Sequence, residues 1–170
     1  HVRFCATSAT RDAANAGVFV DGVRERLGVT PHVLPGMEEA ALVFDATAFL
    51  DPPPAEPTLV VDIGGGSTEL VLGGPERWAS MDIGSVRLHE RHLAHDPPTP
   101  EEWARCARDI DDHLDGCDLD LASARSLVGT SGTVKTLAAG VLDLPYYDRD
   151  RLDGVGLGVD ETRAFADGLR

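Results

Sequence analysis

One stretch of the chain determines most of what the sequence predicts about the fold: LVVDIGGGSTEL, at residues 59–70. An apolar run typical of a buried strand ends on Asp62, turns through Gly64-Gly65-Gly66 and leaves in a second strand. Two strands joined by so tight a turn must run antiparallel, because a parallel pair needs a long crossover. The stretch therefore predicts a β-hairpin with a glycine turn at its tip.

The residue types around this turn suit a phosphorylated ligand. Glycines let the backbone approach a ligand closely and point successive N–H groups at it. Asp62, at the end of the strand, is placed to hold a hydrated Mg²⁺. Ser67 and Thr68 offer hydroxyls to phosphate, and Glu69 is a second carboxylate close enough to share the metal or a water. The simpler alternative is an ordinary glycine-rich hairpin in which Asp62 only forms the turn.

The elements predicted on either side divide the chain in two. The segment DPPPAEP, residues 51–57, is the best linker candidate, because consecutive prolines remove N–H donors and fix φ. The pattern predicts strand–helix–strand–helix before it and β-β-β-α-α-β-α-α after it, which indicates an α/β fold in two pieces. The predicted elements are Val2–Thr7, a helix from about Arg11 to Leu27, Thr30–Leu34, Met37–Phe49, Thr58–Ile63, Thr68–Leu72, Arg77–Asp82, Ser85–Leu93, Pro100–Leu114, Ser126–Gly129, Ser131–Val141 and a helix from Val159.

Composition excludes several classes of protein. The 15 basic residues against 29 acidic ones give a net charge of −14, which argues against a non-specific nucleic-acid binder. No apolar run approaches the roughly 20 residues needed to cross a bilayer. Three cysteines without a secretory signal predict reduced thiols and a cytoplasmic protein. The chain begins without Met inside an apolar run, so we expect it to be part of a longer protein.

The hairpin motif resembles the second phosphate loop of the actin-like ATPase and sugar-kinase superfamily. More narrowly, it resembles the exopolyphosphatase and guanosine pentaphosphate phosphatase family, whose other motifs occur in the same order. These are ATSATRDA at 6–13, GMEEA at 36–40, GSVRL at 84–88, DPPT at 96–99, GTSGT at 129–133 and YD at 147–148. The resemblance implies two ribonuclease-H-like lobes: the end of the first at 1–50, a linker at 51–57, and most of the second at 58–170.

The resemblance also implies roles for particular residues. Glu39, the second glutamate of GMEEA, falls where the family has its water-activating residue. Glu38 faces another direction and only favours the helix dipole, an alternative that also applies to Glu39. Arg11, predicted at a helix N-terminus, would fork onto phosphate oxygens; its alternative is a surface ion pair with Asp12 or a neighbour. The phosphate-binding set comprises Arg11, Gly64, Gly65, Gly66, Ser67, Thr130, Ser131, Gly132 and Thr133, with Mg²⁺ on Asp62 and Glu69.

The predicted function is a Mg²⁺-dependent phosphohydrolase that releases terminal phosphate from inorganic polyphosphate, guanosine pentaphosphate, or both. The expected partners are these substrates and a second copy in a homodimer, with no nucleic acid and no membrane. Two alternatives stay open: a sugar-kinase-like or acetate-kinase-like phosphotransferase, and a non-catalytic polyphosphate- or nucleotide-binding module. The family's first phosphate loop, Asp-x-Gly-Ser, does not occur upstream, and the closing strand and helices of the second lobe do not follow. We therefore expect a chain truncated at both ends that is inactive by itself.

Overall fold

The computed structural model describes residues 1–169 and shows an alternation of strands and helices. Short 3₁₀ turns at Thr47–Phe49 and Leu121–Ser123 connect some of them. The elements are β1 (Cys5–Ala6), α1 (Ser8–Asp12), α2 (Ala16–Leu27), β2 (His32–Val33), α3 (Gly36–Ala46), β3 (Thr58–Ile63), β4 (Thr68–Leu72), β5 (Trp78–Met81), α4 (Ser85–His92), α5 (Pro100–Asp115), β6 (Ser126–Thr130), α6 (Ser131–Val141), α7 (Arg149–Leu152) and α8 (Val159–Asp167).

Two sheets organise these elements. Strands β1 and β2 form a short parallel pair, and the larger sheet has the order β5-β4-β3-β6. Neighbouring strands in β5-β4-β3 run antiparallel, as the glycine turn and the following tight turn require. Strand β6 runs parallel to β3, and α4 and α5 lie in the crossover between them. The predicted α/β architecture and the antiparallel hairpin are confirmed.

The large sheet is covered on both faces, which explains why every residue of β4 is buried. On one face Val60 and Val71 pack around Ala40 of α3. On the other, a cluster containing Leu59, Leu70 and Leu72 packs against apolar side chains of α4 and α5. Alternate residues of a strand point to opposite faces, so the two clusters use opposite parities of the same strands. Helix α3, although it precedes residues 51–57, shares a core with the sheet that follows them.

The start of α5 shows how local sequence positions one helix. Thr99 Oγ1 accepts a hydrogen bond from the N–H of Glu102, and Glu102 Oε2 accepts one from the N–H of Thr99. This is a capping box, the arrangement that the Thr-Pro-x-Glu spacing favours, with Pro100 at the first helical position. The pKa of Glu102 is lowered to about 2, first by its bond with His95 and then by the Thr99 N–H. Glu102 is thereby an ionised, buried anchor of the loop before α5.

The first helix differs from the prediction. A single helix from about Arg11 to Leu27 is wrong: α1 ends at Asp12, Ala13 is extended, and α2 starts at Ala16. Arg11 therefore lies in the last turn of a short helix and not at a helix N-terminus. Tertiary contacts override the local helical pattern here, because the side chains of Arg11 and Asp12 are bound by residues far along the sequence.

Other boundaries shift by a few residues. The predicted strands Val2–Thr7 and Thr30–Leu34 shrink to two residues each, and the helix predicted to reach Phe49 becomes 3₁₀ after Ala46. None of the helices in residues 1–169 combines the length and the apolar character needed to cross a bilayer. All three cysteines are free thiols, as the sequence predicts.

Candidate active site

Oxygen-bearing side chains form a row across the large sheet at the glycine-turn end. Strand register places Asp62 opposite Glu69 on one side and opposite Thr130 on the other, and Glu69 is opposite Ser80. Side chains paired in register share a face, so all four point to the face covered by α3. Below them the same face continues as the apolar cluster around Val60. The change from apolar to polar along this face marks the candidate site.

The two carboxylates of this row are held in a partly dry environment. Glu69 is only 2 % exposed and accepts a 2.8 Å hydrogen bond from Ser80 Oγ. Burial raises the pKa of Glu69, hydrogen bonds from Ser67 and Ser80 oppose that shift, and the charges of Glu39 and Asp62 add to it. Burial likewise raises the pKa of Asp62, against a hydrogen bond with Ser131. The protein by itself therefore disfavours the charged forms of both carboxyl groups.

Helix α3 brings Glu39 to the same face, while Glu38 points elsewhere. The Glu39 carboxylate lies 3.0 Å from Arg11 Nη1, which also donates a 2.6 Å hydrogen bond to the carbonyl of Leu34. Glu38 instead lies 3.5 Å from both Arg3 and His32. The ion pair of Arg11 is thus with Glu39, while Asp12 pairs with Arg87. Adjacent helix residues point in different directions, as the sequence argument requires.

The N–H groups of the glycine turn are available to a ligand, whereas the carbonyl groups of Gly64 and Gly65 already accept hydrogen bonds. The carbonyl of Gly64 accepts from the N–H of Ser85, and that of Gly65 accepts from the next two N–H groups of α4 at 2.9 and 3.0 Å. Within residues 1–169, the N–H groups of Gly65, Gly66 and Ser67 donate to no protein acceptor. A run of free N–H groups at a turn is a typical anion-binding arrangement.

The second predicted phosphate turn starts α6. Ser131 has φ of 73°, an uncommon conformation for a residue with a side chain, and its side chain lowers the pKa of Asp62 against the larger effect of burial. No side chain caps the N–H groups of the first turn of α6, which includes Gly132 and Thr133. No side-chain hydrogen bond joins Thr133 to the row in the part of the chain described. The structure thus places Thr130 in the row and Ser131 next to Asp62, with Gly132 and Thr133 in the uncapped first turn of α6.

A divalent cation fits the chemistry of this row. Asp62 and Glu69 are neighbouring carboxylates with raised pKa values, the situation that a bound cation would relieve. No group of three or more His, Cys, Asp or Glu side chains in residues 1–169 could hold a metal by itself. Mg²⁺ suits such an open pair, because it keeps several waters and completes its shell with substrate phosphate oxygens.

Three residues of the site are not among those proposed from the sequence. Ser80 completes the row, and no local pattern marks it, because only strand register brings it to Glu69. Gly84 is buried against the glycine turn, and Arg87 bonds the carbonyl of Gly66. Both belong to GSVRL, one of the motifs on which the family resemblance rests, and this motif is the sequence feature that indicates them. A cavity of about 700 Å³ between β5 and the end of α5 contains none of the predicted residues.

Comparison with known proteins shows which family shares this sequence. The profile of the Ppx/GppA phosphatase family matches residues 1–141. The chain belongs to this family. Over 156 residues this Ppx/GppA protein is 41 % identical to exopolyphosphatase 2 of Mycobacterium tuberculosis, which covers 86 % of the chain and 49 % of that relative. Over 107 residues it is 36 % identical to the guanosine-5′-triphosphate,3′-diphosphate pyrophosphatase of Pseudoalteromonas atlantica, covering 61 % of the chain and 21 % of that relative.

Solved structures of this family share the fold. An exopolyphosphatase-like protein superposes with a TM-score of 0.91 at 43 % identity, covering 99 % of this chain and 56 % of that one. The PPX-GPPA enzyme of Aquifex aeolicus superposes with a TM-score of 0.79 at 32 % identity, with the same coverage. These likenesses confirm the ribonuclease-H-like fold class. The Ppx/GppA chain described here spans about half the length of exopolyphosphatase 2 and of these solved structures.

Proposed function

We propose that the whole protein is a Mg²⁺-dependent phosphohydrolase that releases terminal phosphate from inorganic polyphosphate, guanosine pentaphosphate, or both. The observation that carries the proposal is the position of Glu39. Its carboxylate is carried by α3, which packs on the face of the sheet that bears the row; it is held by Arg11 at 3.0 Å, and its charge raises the pKa of Glu69. The names of the curated relatives, an exopolyphosphatase and a guanosine pentaphosphate pyrophosphatase, support both substrates.

In the proposed reaction a water attacks the terminal phosphorus and the bridging P–O bond breaks. The N–H groups of the glycine turn hold phosphate oxygens, and Arg11 can fork onto them from the other side. Glu39 orients the water and accepts its proton, which is the main task left to the protein in phosphoryl transfer. A Mg²⁺ held by Asp62 and Glu69 would neutralise charge on the phosphate oxygens.

Membership of a phosphatase family favours hydrolysis over the phosphotransferase alternative. The carboxylate presented to the row by α3 favours catalysis over a purely binding role, because a phosphate-binding module gains nothing from a third negative charge there. A homodimer, a cytoplasmic location and the absence of nucleic-acid and membrane partners belong to the same proposal.

The proposal is tested by comparing Glu39→Gln with its matched control Glu38→Gln in the whole protein. Loss of a general base lowers kcat by about 10²–10⁴-fold, so we expect this loss for Glu39→Gln only. KM should stay constant or fall, because removing Glu39 leaves Arg11 free to bind phosphate. Glu38→Gln should stay within a few-fold of wild type.

Phosphate release is measured with polyphosphate and with guanosine pentaphosphate, each with and without Mg²⁺ and with no added acceptor. Equal kcat values for the two variants would refute the role of Glu39. If wild type binds polyphosphate tightly without any turnover, the protein is a binding module and not a hydrolase. Turnover that requires an added alcohol or carboxylate acceptor would establish the phosphotransferase.

A further inference from the structure

The side chain of Arg87 joins two parts of the site that the sequence separates. From the first turns of α4, its Nε donates a 2.6 Å hydrogen bond to the carbonyl of Gly66. Its Nη2 binds the carboxylate of Asp12, the last residue of α1. The carboxylate of Asp82 lies 3.8 Å from the same nitrogen. A guanidinium suits this task, because its planar fork can serve a carbonyl and a carboxylate at once.

On the glycine-turn side, Arg87 supplies the last of the contacts that orient the backbone. The carbonyls of Gly64 and Gly65 bond to N–H groups of α4, and the carbonyl of Gly66 bonds to the Arg87 side chain. All three turn carbonyls therefore face α4. The Arg87 side chain is 26 % exposed, so water screens its contacts only in part.

On the other side, the bond to Asp12 fixes α1, which also carries Arg11. Arg11 reaches the Glu39 carboxylate, while the next residue, Asp12, reaches Arg87. The helix abuts the turn directly: a Cβ placed on Gly66 would lie 2.7 Å from Ser8 Oγ. Helix α1 is thus held between the proposed base and the proposed phosphate turn.

We propose that Arg87 is a positioning residue that sets the N–H groups of the glycine turn at the working distance from the Arg11–Glu39 pair. It does so by clasping Asp12 and the carbonyl of Gly66 with one guanidinium. The effect of Arg87 on turnover rests on the proposed function, whereas the clasp of Asp12 and the Gly66 carbonyl does not depend on it. Arg87 contacts neither Glu39 nor the carboxylate row, so its role is to place other residues.

The test compares Arg87→Ala and Arg87→Lys with Arg91→Ala in the whole protein. Arg91 is the matched control: it lies one turn further along α4 and pairs with Asp109, away from the glycine turn. A displacement of about 1 Å at a reacting site costs on the order of 10²-fold in rate. We expect kcat/KM to fall by about that factor for Arg87→Ala, and Arg91→Ala to stay within threefold. Arg87→Lys should recover little, because an ammonium cannot reproduce the fork.

Two further readouts separate positioning from general destabilisation. Amide hydrogen exchange should accelerate for Arg87→Ala in the N–H groups of Gly64, Ser85 and Val86, which bond within or to the glycine turn, and in α1 at the same time. For Arg91→Ala it should accelerate in neither place. The double variant Arg87→Ala/Asp12→Asn should lose no more activity than the worse single variant, since both remove one contact.

The exchange measurement decides the clasp even if wild type hydrolyses neither substrate. Unchanged exchange in the N–H groups of Gly64, Ser85 and Val86 and in α1 would overturn the clasp whatever the activity. Accelerated exchange with kcat/KM within threefold of an active wild type would overturn the positioning role. Should Arg87→Ala fail to fold, Asp12→Asn alone tests the same contact, with the same accelerated exchange in α1 expected and unchanged exchange refuting it.

Discussion

Replacing Gly84 with alanine adds one methyl group and should displace the glycine turn. Gly84 is buried at the N-terminus of α4, where a Cβ would lie 2.3 Å from the carbonyl carbon of Gly65 and 2.4 Å from its oxygen. The same Cβ would lie 2.4 Å from the N atom of Gly66. These are backbone atoms of the turn itself, so no side-chain rotation can relieve the contact.

The magnitude follows from these distances. Ordinary contact begins at 3.4 Å, so the turn and α4 must separate by about 1 Å in Gly84→Ala. That separation breaks the bonds from α4 to the carbonyls of Gly64 and Gly65, and it moves the N–H groups that would hold phosphate. A 1 Å displacement costs on the order of 10²-fold in rate, equivalent to about 2.7 kcal/mol of transition-state stabilisation. Overpacking should also lower the free energy of unfolding by ~1–3 kcal/mol.

The assay measures kcat/KM for phosphate release and the urea midpoint of the whole protein. Gly74→Ala is the matched control, because a Cβ at Gly74, in the turn between β4 and β5, meets nothing within 4 Å. We expect Gly84→Ala to lose about 10²-fold in kcat/KM and Gly74→Ala to match wild type. A folded Gly84→Ala protein with kcat/KM within threefold of wild type would refute the argument that this contact positions the turn.

Two carboxylates give predictions with opposite dependence on pH. Burial raises the pKa of Asp62, so its ionisation opposes folding, and stability falls as pH rises from the ordinary carboxyl pKa through the raised one. Without Mg²⁺ at pH 7, the Tm of Asp62→Asn should therefore be no lower than that of wild type. Mg²⁺ should raise the Tm of wild type and not that of the variant. An equal rise in both proteins would show that Asp62 does not bind the metal. Glu102 has its pKa lowered to about 2, so the stability that it contributes is complete above pH 4.5 and is lost as pH falls towards 2. Glu102→Gln should reduce the urea midpoint at pH 7, and this midpoint should decline less below pH 4.5 than that of wild type. Glu101→Gln, at an exposed position, should follow wild type. Parallel curves of the urea midpoint against pH for Glu102→Gln and wild type would contradict this assignment.

Local pattern was sufficient where the determining interactions lie within a few residues. The apolar run ending on Asp62 and the three glycines predict β3, the turn and β4, because strand alternation and tight-turn chemistry act over neighbouring residues. The capping box of α5 likewise depends only on Thr99 and Glu102, which are three positions apart. Local pattern failed for α1 and α2, where contacts from distant residues bind the side chains of Arg11 and Asp12.

The sequence by itself determined the α/β class, the hairpin with its glycine turn, and the residue types available for phosphate chemistry. Only the tertiary structure decided which of those residues meet. The contact of Arg11 with Glu39 spans 28 positions, that of Arg87 with Gly66 spans 21, and that of Arg87 with Asp12 spans 75. Such pairs leave no trace in local periodicity, because their geometry depends on strand register and on the packing of α3 and α4 against the sheet.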